Sequence, residues 1–267
     1  MNIAPHPILL LKHIQLCAIA MVAGTLNAVA GGGSFFSFPA LLGVGLPPVN
    51  ANATNTVALW PGQLTSIVGF RRELGAMRHL LAPTIICGII GGVAGAETLL
   101  HTEQKTFMAL VPWLLLFGTV MFTLSGVTKR WLSRMSERHF AAPARGVSFP
   151  FVLSLTVVCF YIGYFGAGAG FLIVSVLSVL SPAKTIHEMN AVKAVANLFA
   201  NGVAVATFIF ANAIYWREGL LMMVFAAAGG YLGAHYSRRL DARYVRLLVI
   251  VGGFAVSAYF FGKVYFR

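Results

Sequence analysis

Apolar residues run along this chain in unbroken blocks of about twenty, separated by short clusters of glycine, proline or basic residues. The blocks lie near residues 11–30, 50–70, 80–100, 106–127, 149–167, 189–212, 217–237 and 244–263. A helix rises 1.5 Å per residue, so about 20 residues cross a hydrocarbon core roughly 30 Å thick. Backbone groups in lipid have to satisfy one another, which leaves helices or closed barrels, and barrel strands alternate where these blocks do not. The pattern predicts an all-α integral membrane protein, a polytopic helical bundle of eight long spans in one transmembrane domain. Two shorter apolar segments, 33–46 and 170–181, each give roughly 20 Å of helix, less than a full crossing. They either re-enter or cross with extended glycine ends.

The longest polar interruption, 128–148, divides the chain nearly in half. It sets repeat 1 at about 8–127 and repeat 2 at about 149–267. The first half reads GTLNAVAGGGSFFSFPALLGVGLPPVNANATNTVALW from Gly24 and the second GYFGAGAGFLIVSVLSVLSPAKTIHEMNAVKAVANLF from Gly163. Gly31 and Gly33 match Gly168 and Gly170, and the Asn52–Ala58 segment matches Asn190–Ala196. Such duplicated, glycine-interrupted short helices are the pattern of secondary transporters, where broken helices bring backbone groups to a central site. If 33–46 and 170–181 both cross, each half has five passes and the repeats are inverted. That places 13 of the 19 basic residues on one side, against 12 if both re-enter, so the count decides little. The inverted arrangement is preferred because it keeps Arg238, Arg239, Arg243 and Arg246 cytoplasmic.

Composition narrows the function. Charged residues make up 10% of the chain, far below the quarter or so of a soluble domain. The net charge of +12 sits at the ends of apolar spans, as in cytoplasmic loops, so no nucleic-acid partner is expected. Cys17, Cys87 and Cys159 fall inside spans without a CxxC pair or a neighbouring histidine, which argues against a metal site or thiol exchange. HExxH, GxSxG and Walker motifs are absent, so no catalytic residue and no cofactor is expected. Lys12, His13 and Ala28-Val29-Ala30 before Gly31 resemble a signal peptide, yet the glycine-rich pattern that follows recurs in the second half, so the stretch reads as a first span.

Lys193 is the outstanding residue, a charge several positions inside an apolar span, where ionisable groups are costly and usually functional. Asn190, Lys193, Asn197 and Asn201 are spaced three and four apart and share one helical face. Asn52, Asn55 and Gln63 trace a thinner stripe in the first half. A positive charge, amide donors and the free N–H groups of glycine-exposed helix starts, at Gly31, Gly32, Gly33, Gly168 and Gly170, together suit a small anion. Tyr164, aligned with Asn27, supplies a further donor. The competing reading has Lys193 snorkelling to the interface, the asparagines bonding neighbouring helices, and the glycines only letting helices touch. Glu97, His101, His187 and His235 lie near span ends, Arg71, Arg72 and Arg78 set orientation, and Glu188 is placed to cap its helix. Pro39, Pro61, Pro83, Pro112 and Pro182 mark kinks or span starts.

At Asn27, Gly31 to Gly33, Pro39, Thr54 and Asn55, and at Gly166, Gly168, Gly170 and Lys193, the chain resembles the TauE/SafE family of membrane proteins, associated with export of sulfite and organosulfonates. The resemblance covers nearly the whole chain, with Ala169 standing where a third consecutive glycine is common. It implies a carrier for a small sulfur oxyanion or sulfonate in the bacterial inner membrane, with Thr54 added to the site. Lipid and the anion are the expected partners, and a homodimer is compatible with such a bundle. The residues alone support an anion-selective bundle, which leaves a channel open as the rival and a membrane enzyme or assembly factor as a more distant one. Anion export needs no coupling ion, since a negative interior drives it by roughly 2.3 kcal/mol per charge per 100 mV. Proton coupling would want an intramembrane carboxylate, and the seven acidic residues are expected mostly in loops.

Overall fold

The computed structural model of the chain describes residues 7–29, 31–69, 74–75, 77–139, 148–180, 186–236 and 242–266. In order these form α1 (Pro7–Val29), α2 (Ser34–Val44), α3 (Pro48–Leu59), α4 (Pro61–Gly69), α5 (Arg78–Leu100) and α6 (Gln104–His139). The second half gives α7 (Phe149–Tyr164), α8 (Ala169–Leu180), α9 (Ile186–Phe210), α10 (Trp216–Tyr236) and α11 (Ala242–Tyr265). The described residues contain no strand. Four stretches among them combine the length and hydropathy of a membrane crossing: Arg78–Leu100, Gln104–Leu124, Glu188–Phe210 and Tyr244–Tyr265. The molecule is an all-α polytopic membrane protein. The short helices α2 and α8 fall where the sequence placed them.

Two expectations are corrected. The span expected over 50–70 is two helices, because Pro61 has no N–H for the helical ladder and its ring excludes the carbonyl four residues back. The Trp60 N–H still reaches Thr56 O, which closes α3 cleanly. The interruption expected over 128–148 is helical as far as His139, so α6 runs 36 residues. At about 54 Å it outlasts the hydrocarbon core and carries its basic end out of it. Residues 140–147 lie outside the described residues, as do the basic positions Arg71, Arg72, Arg238 and Arg239, together with Pro182.

The compact units are not the two sequence halves. One unit takes Met1–Gly62, Thr102–Leu115 and Asn212–Arg267; the other takes Gln63–His101 and Leu116–Ala211. In the first unit α1 packs on α10, α2 on α1, α3 and α11, and α3 on α10. The α1–α10 seam is backbone on backbone: a Cβ on Gly24 would collide with the carbonyl oxygen of Ala226, and one on Gly229 with that of Met21. Small residues of this kind let membrane helices approach closely. His13 meets Glu218, Met21 meets Gly229 and Thr25 meets Gly233, so the two helices run the same way. Asn50 reaches Ala213 and Thr54 reaches Tyr215 and Gly219, so α3 runs that way too. The intervening α2 therefore carries the chain back. Its C-terminus turns at Gly45, at φ 109°, whose N–H faces the carbonyls of Leu41 and Leu42, and Pro47-Pro48 then starts α3.

In the second unit α5 packs on α7 and α9, and α8 on α7 and α9. A Cβ on Gly163 would collide with the carbonyl oxygen of Gly92, and one on Gly95 with that of Phe160. Cys87 lies by Val152, Gly91 by Thr156 and Gly95 by Phe160, so α5 and α7 are parallel. Gly88 lies by Ala196 and Phe199, and Gly92 by Ala200 and Val203, so α9 is parallel to both. The segment holding α8 returns the chain, as α2 does in the other unit. The core here is built from Leu155, Cys159, Ile162, Ile173, Leu177, Val192 and Ala196. Phe122 closes it edge-on against Phe171, ring centroids 4.5 Å apart.

Candidate functional site

In the first unit the chain leaves α1 through two left-handed glycines, Gly31 at φ 82° and Gly32 at φ 90°, a conformation costly for any residue with a Cβ. Gly33 then starts α2 with its Cα pressed on the carbonyl of Ala23 and the carboxamide of Asn27. The Gly33 N–H donates to Asn27 Oδ1 at 2.8 Å, and the Gly31 N–H to Leu26 O at 2.8 Å. Those two donors, expected to be free for a ligand, are used by the fold, and Asn27 acts as the cap of the turn. Among the described residues no hydrogen bond engages the N–H groups of Gly32 or Ser34, so these are the donors left at the start of α2.

One turn further, Ser37 is fully buried, its Oγ 2.6 Å from Asn55 Oδ1 and 3.2 Å from Gly33 O. The single hydroxyl proton goes to the shorter contact, and Asn55, 3% exposed, keeps its Nδ2 group as its donor end. Asn27, which is exposed, Gly33, Ser37 and Asn55 thus lead by successive contacts from the surface of the unit into its interior. Thr54, fully buried, faces away from it and accepts from the Tyr215 N–H at 3.1 Å, which fixes the turn before α10. Asn52 is buried on the same helix.

In the second unit the matching turn has Gly166 at φ 73° and Gly168 at φ 74°. Tyr161 caps it twice, its carbonyl accepting from Gly166 N at 2.9 Å and its hydroxyl donating to Ala167 O at 2.8 Å. Among the described residues no hydrogen bond engages the N–H groups of Gly168 or Gly170. Gly170 lies against the predicted polar face: its Cβ would stand 3.3 Å from Lys193 Cδ and 3.6 Å from Asn197 Nδ2. Asn190, Lys193, Asn197 and Asn201 are half-buried, while Ala191, Val192, Ala194, Val195, Ala196 and Ala200 around them are buried. Asn201 Nδ2 reaches Asn197 O at 3.1 Å and Gln63 Oε1 at 3.4 Å, which ties α4 to the stripe. Tyr164 is buried with its ring stacked on Phe160 and its backbone against Gly95.

The structure therefore gathers the predicted residues into two groups, Asn27, Gly33 and Asn55 in one unit and Gly170, Lys193, Asn197 and Asn201 in the other. Sequence reading missed Ser37, although a lone serine in SFFSFPALL one turn after the glycines is a usable signal. It also missed the bridge in which Gln104 accepts from Val49 N at 2.8 Å and donates to Asn50 Oδ1 at 3.2 Å, while Asn50 donates to Ala213 O at 2.9 Å. Polar residues at helix ends give no such signal.

Apolar helices long enough to cross a bilayer, with glycine turns that open onto short helices inside otherwise apolar units, define the class: this is a multi-pass membrane protein. The family model for the sulfite exporter TauE/SafE matches residues 16–260, and the chain belongs to that family. It is similar to a probable membrane transporter protein of Haemophilus influenzae, 25% identical over 252 residues that cover 91% of this chain and 92% of the relative. It is also similar to the probable membrane transporter protein ORF9 of a Sinorhizobium species, 26% identical over 249 residues covering 91% and 89% of the two chains. The probable membrane transporter protein YfcA of Escherichia coli K12 is 25% identical over 249 residues, 90% of this chain and 86% of that protein. No solved structure matches the chain.

Proposed function

We propose that the chain is a secondary transporter that exports a small sulfur-containing anion, sulfite or an organosulfonate, across the cytoplasmic membrane. The observation that carries this reading is the placement of Lys193 and Asn197 against Gly170, at a helix start where no hydrogen bond among the described residues engages the Gly168 and Gly170 N–H groups. A compact ammonium, a carboxamide and backbone donors at the positive end of a helix are what a tetrahedral or pyramidal oxyanion needs. Asn55 and the Gly32 and Ser34 N–H groups offer the uncharged version of the same arrangement in the other unit.

The two halves are read as inverted repeats that exchange their last helices. In support, the pairs Met21/Gly24 on Ala226/Gly229 and Phe160/Gly163 on Gly92/Gly95 make the same backbone contacts at the same three-residue spacing. With α2 and α8 each counted as a pass, each half would have an odd number of passes. Such paired broken segments favour alternating access over a fixed pore. Flux of labelled sulfite into proteoliposomes tests the reading. Saturable flux and counterflow are expected. An ohmic anion current would make the protein a channel, and the absence of any sulfite or sulfonate flux would overturn the assignment.

A further inference from the structure

Near the common start of α1 and α10, His13 Nε2 lies 3.6 Å from Glu218 Oε1, with the two side chains 12% and 13% exposed. Leu16, one turn on from His13, and Met222, one turn on from Glu218, are buried. Glu218 lies in the first turn of α10, a carboxylate held against a histidine of the neighbouring helix. Of the other ionisable groups on the two helices, Lys12 is half-buried, Cys17 is a thiol, Arg217 is exposed and His235 lies at the far end of α10. The helices packed on them, α2 and α3, bring none. From α11, which packs on α1, come Tyr244, Arg246, Tyr259, Lys263 and Tyr265. Among the described residues, the ion pair of Glu218 is with His13.

We propose that His13 and Glu218 form a proton-binding site linked to the anion site, so that anion movement is coupled to the movement of one proton; this rests on the export reading above. The pair has three protonation states, of net charge −1, 0 and +1. The two atoms stand at ion-pair distance, so a proton bound at either one lies beside the other. The pair releases that proton only when its end of α1 and α10 opens to water. The link to the anion site runs through Gly219, next to Glu218: a Cβ there would stand 3.3 Å from Thr54 Cγ2, and the Thr54 hydroxyl takes the Tyr215 N–H. Thr54 is followed by Asn55, whose carboxamide holds Ser37. The start of α10 is thus joined to the residue before Asn55 by one close approach and one hydrogen bond.

The test uses the purified full chain in proteoliposomes with voltage held at zero by potassium and valinomycin, and labelled sulfite as the probe. Exchange without a pH gradient reports anion transport alone; steady-state accumulation under a gradient of one pH unit reports coupling. A one-proton coupling shifts the accumulation ratio about tenfold per pH unit. Wild type should show that shift, and Glu218→Gln and His13→Gln should exchange sulfite yet lose it. Glu218→Asp should restore part of it. Vesicles of the variants contain the same sulfite, so its own protonation cancels in the comparison. Wild-type exchange without a gradient response, or a full response in Glu218→Gln, overturns the proton site and leaves the export reading standing. No wild-type exchange overturns both.

Discussion

The α-carbon of Gly229 rests on the carbonyl oxygen of Met21 with no room for a side-chain carbon between them, and Gly95 rests on Phe160 in the same way. Gly229→Ala and Gly95→Ala should each destabilise the folded protein by about 1–3 kcal/mol, the usual cost of forcing an extra carbon into a packed contact. The obstructing atoms are backbone, which cannot swing aside. Gly43 or Gly262, with nothing near a would-be Cβ, serves as the control: Gly→Ala there should be neutral or slightly stabilising. Thermal unfolding in detergent measures the difference.

The same contacts explain what was legible in the sequence. Block length fixed the helices, and the glycine clusters marked the two short ones, because φ near 70–90° and carbonyl contact both require glycine. The stripe Asn190, Lys193, Asn197, Asn201 was readable because helical spacing is local. Partner choice was not local. Nothing in the order of the chain says that α10 packs on α1 rather than on its neighbour α9. The repeats were aligned on Gly31 with Gly168 and Gly33 with Gly170, so Tyr164 was paired with Asn27, whereas the backbone contacts give Gly163 the role of Gly24 and leave Tyr164 against α5. Thr54 was drawn to the site by the family resemblance, yet adjacent helical residues point about 100° apart, and its hydroxyl accepts from Tyr215 instead.

Ser37 and Asn55 make a buried side-chain hydrogen bond in the first unit, at 2.6 Å. Ser37→Ala should leave the Asn55 carboxamide oxygen without its donor and cost about 1–3 kcal/mol. Asn55→Leu should cost less stability than Ser37→Ala if its shape fits, and should still lower sulfite affinity, because the Nδ2 donor is gone. Equal affinity in Asn55→Leu would remove Asn55 from the site.

The Asn50 bridge places the α5–α6 turn and the α9–α10 turn at one end of their unit, since Gln104 and Ala213 are both held by the same carboxamide. Glu103 and Asn212, both exposed, are therefore expected on the same side of the membrane, opposite the exposed Ser148. In a chain with Cys17, Cys87 and Cys159 replaced, Glu103→Cys and Asn212→Cys should be labelled by an impermeant thiol reagent in sealed cells, and Ser148→Cys should not. If α2 and α8 merely re-entered, Glu103 and Asn212 would be labelled from opposite sides.

Lys193 carries the sharpest expectation. Its stem packs on Gly170 at the start of α8, and its sequence neighbours on α9 are valine and alanine. Lys193→Ala should preserve folding and lower sulfite affinity roughly ten- to a hundredfold, the loss of one charged hydrogen bond of about 1.5–3 kcal/mol. Lys193→Arg is expected to fail as well, since a planar guanidinium does not occupy the place of a compact ammonium beside a glycine. Gly170→Ala separates the roles: with 3.3 Å to Lys193 Cδ, a methyl group displaces a flexible stem rather than backbone, so it should weaken the anion more than the fold. Titration of purified protein with sulfite, followed by calorimetry beside a melting curve for each variant, decides the matter. Unchanged affinity in a folded Lys193→Ala would make the lysine an anchor at the membrane surface and remove the charge from the proposed site.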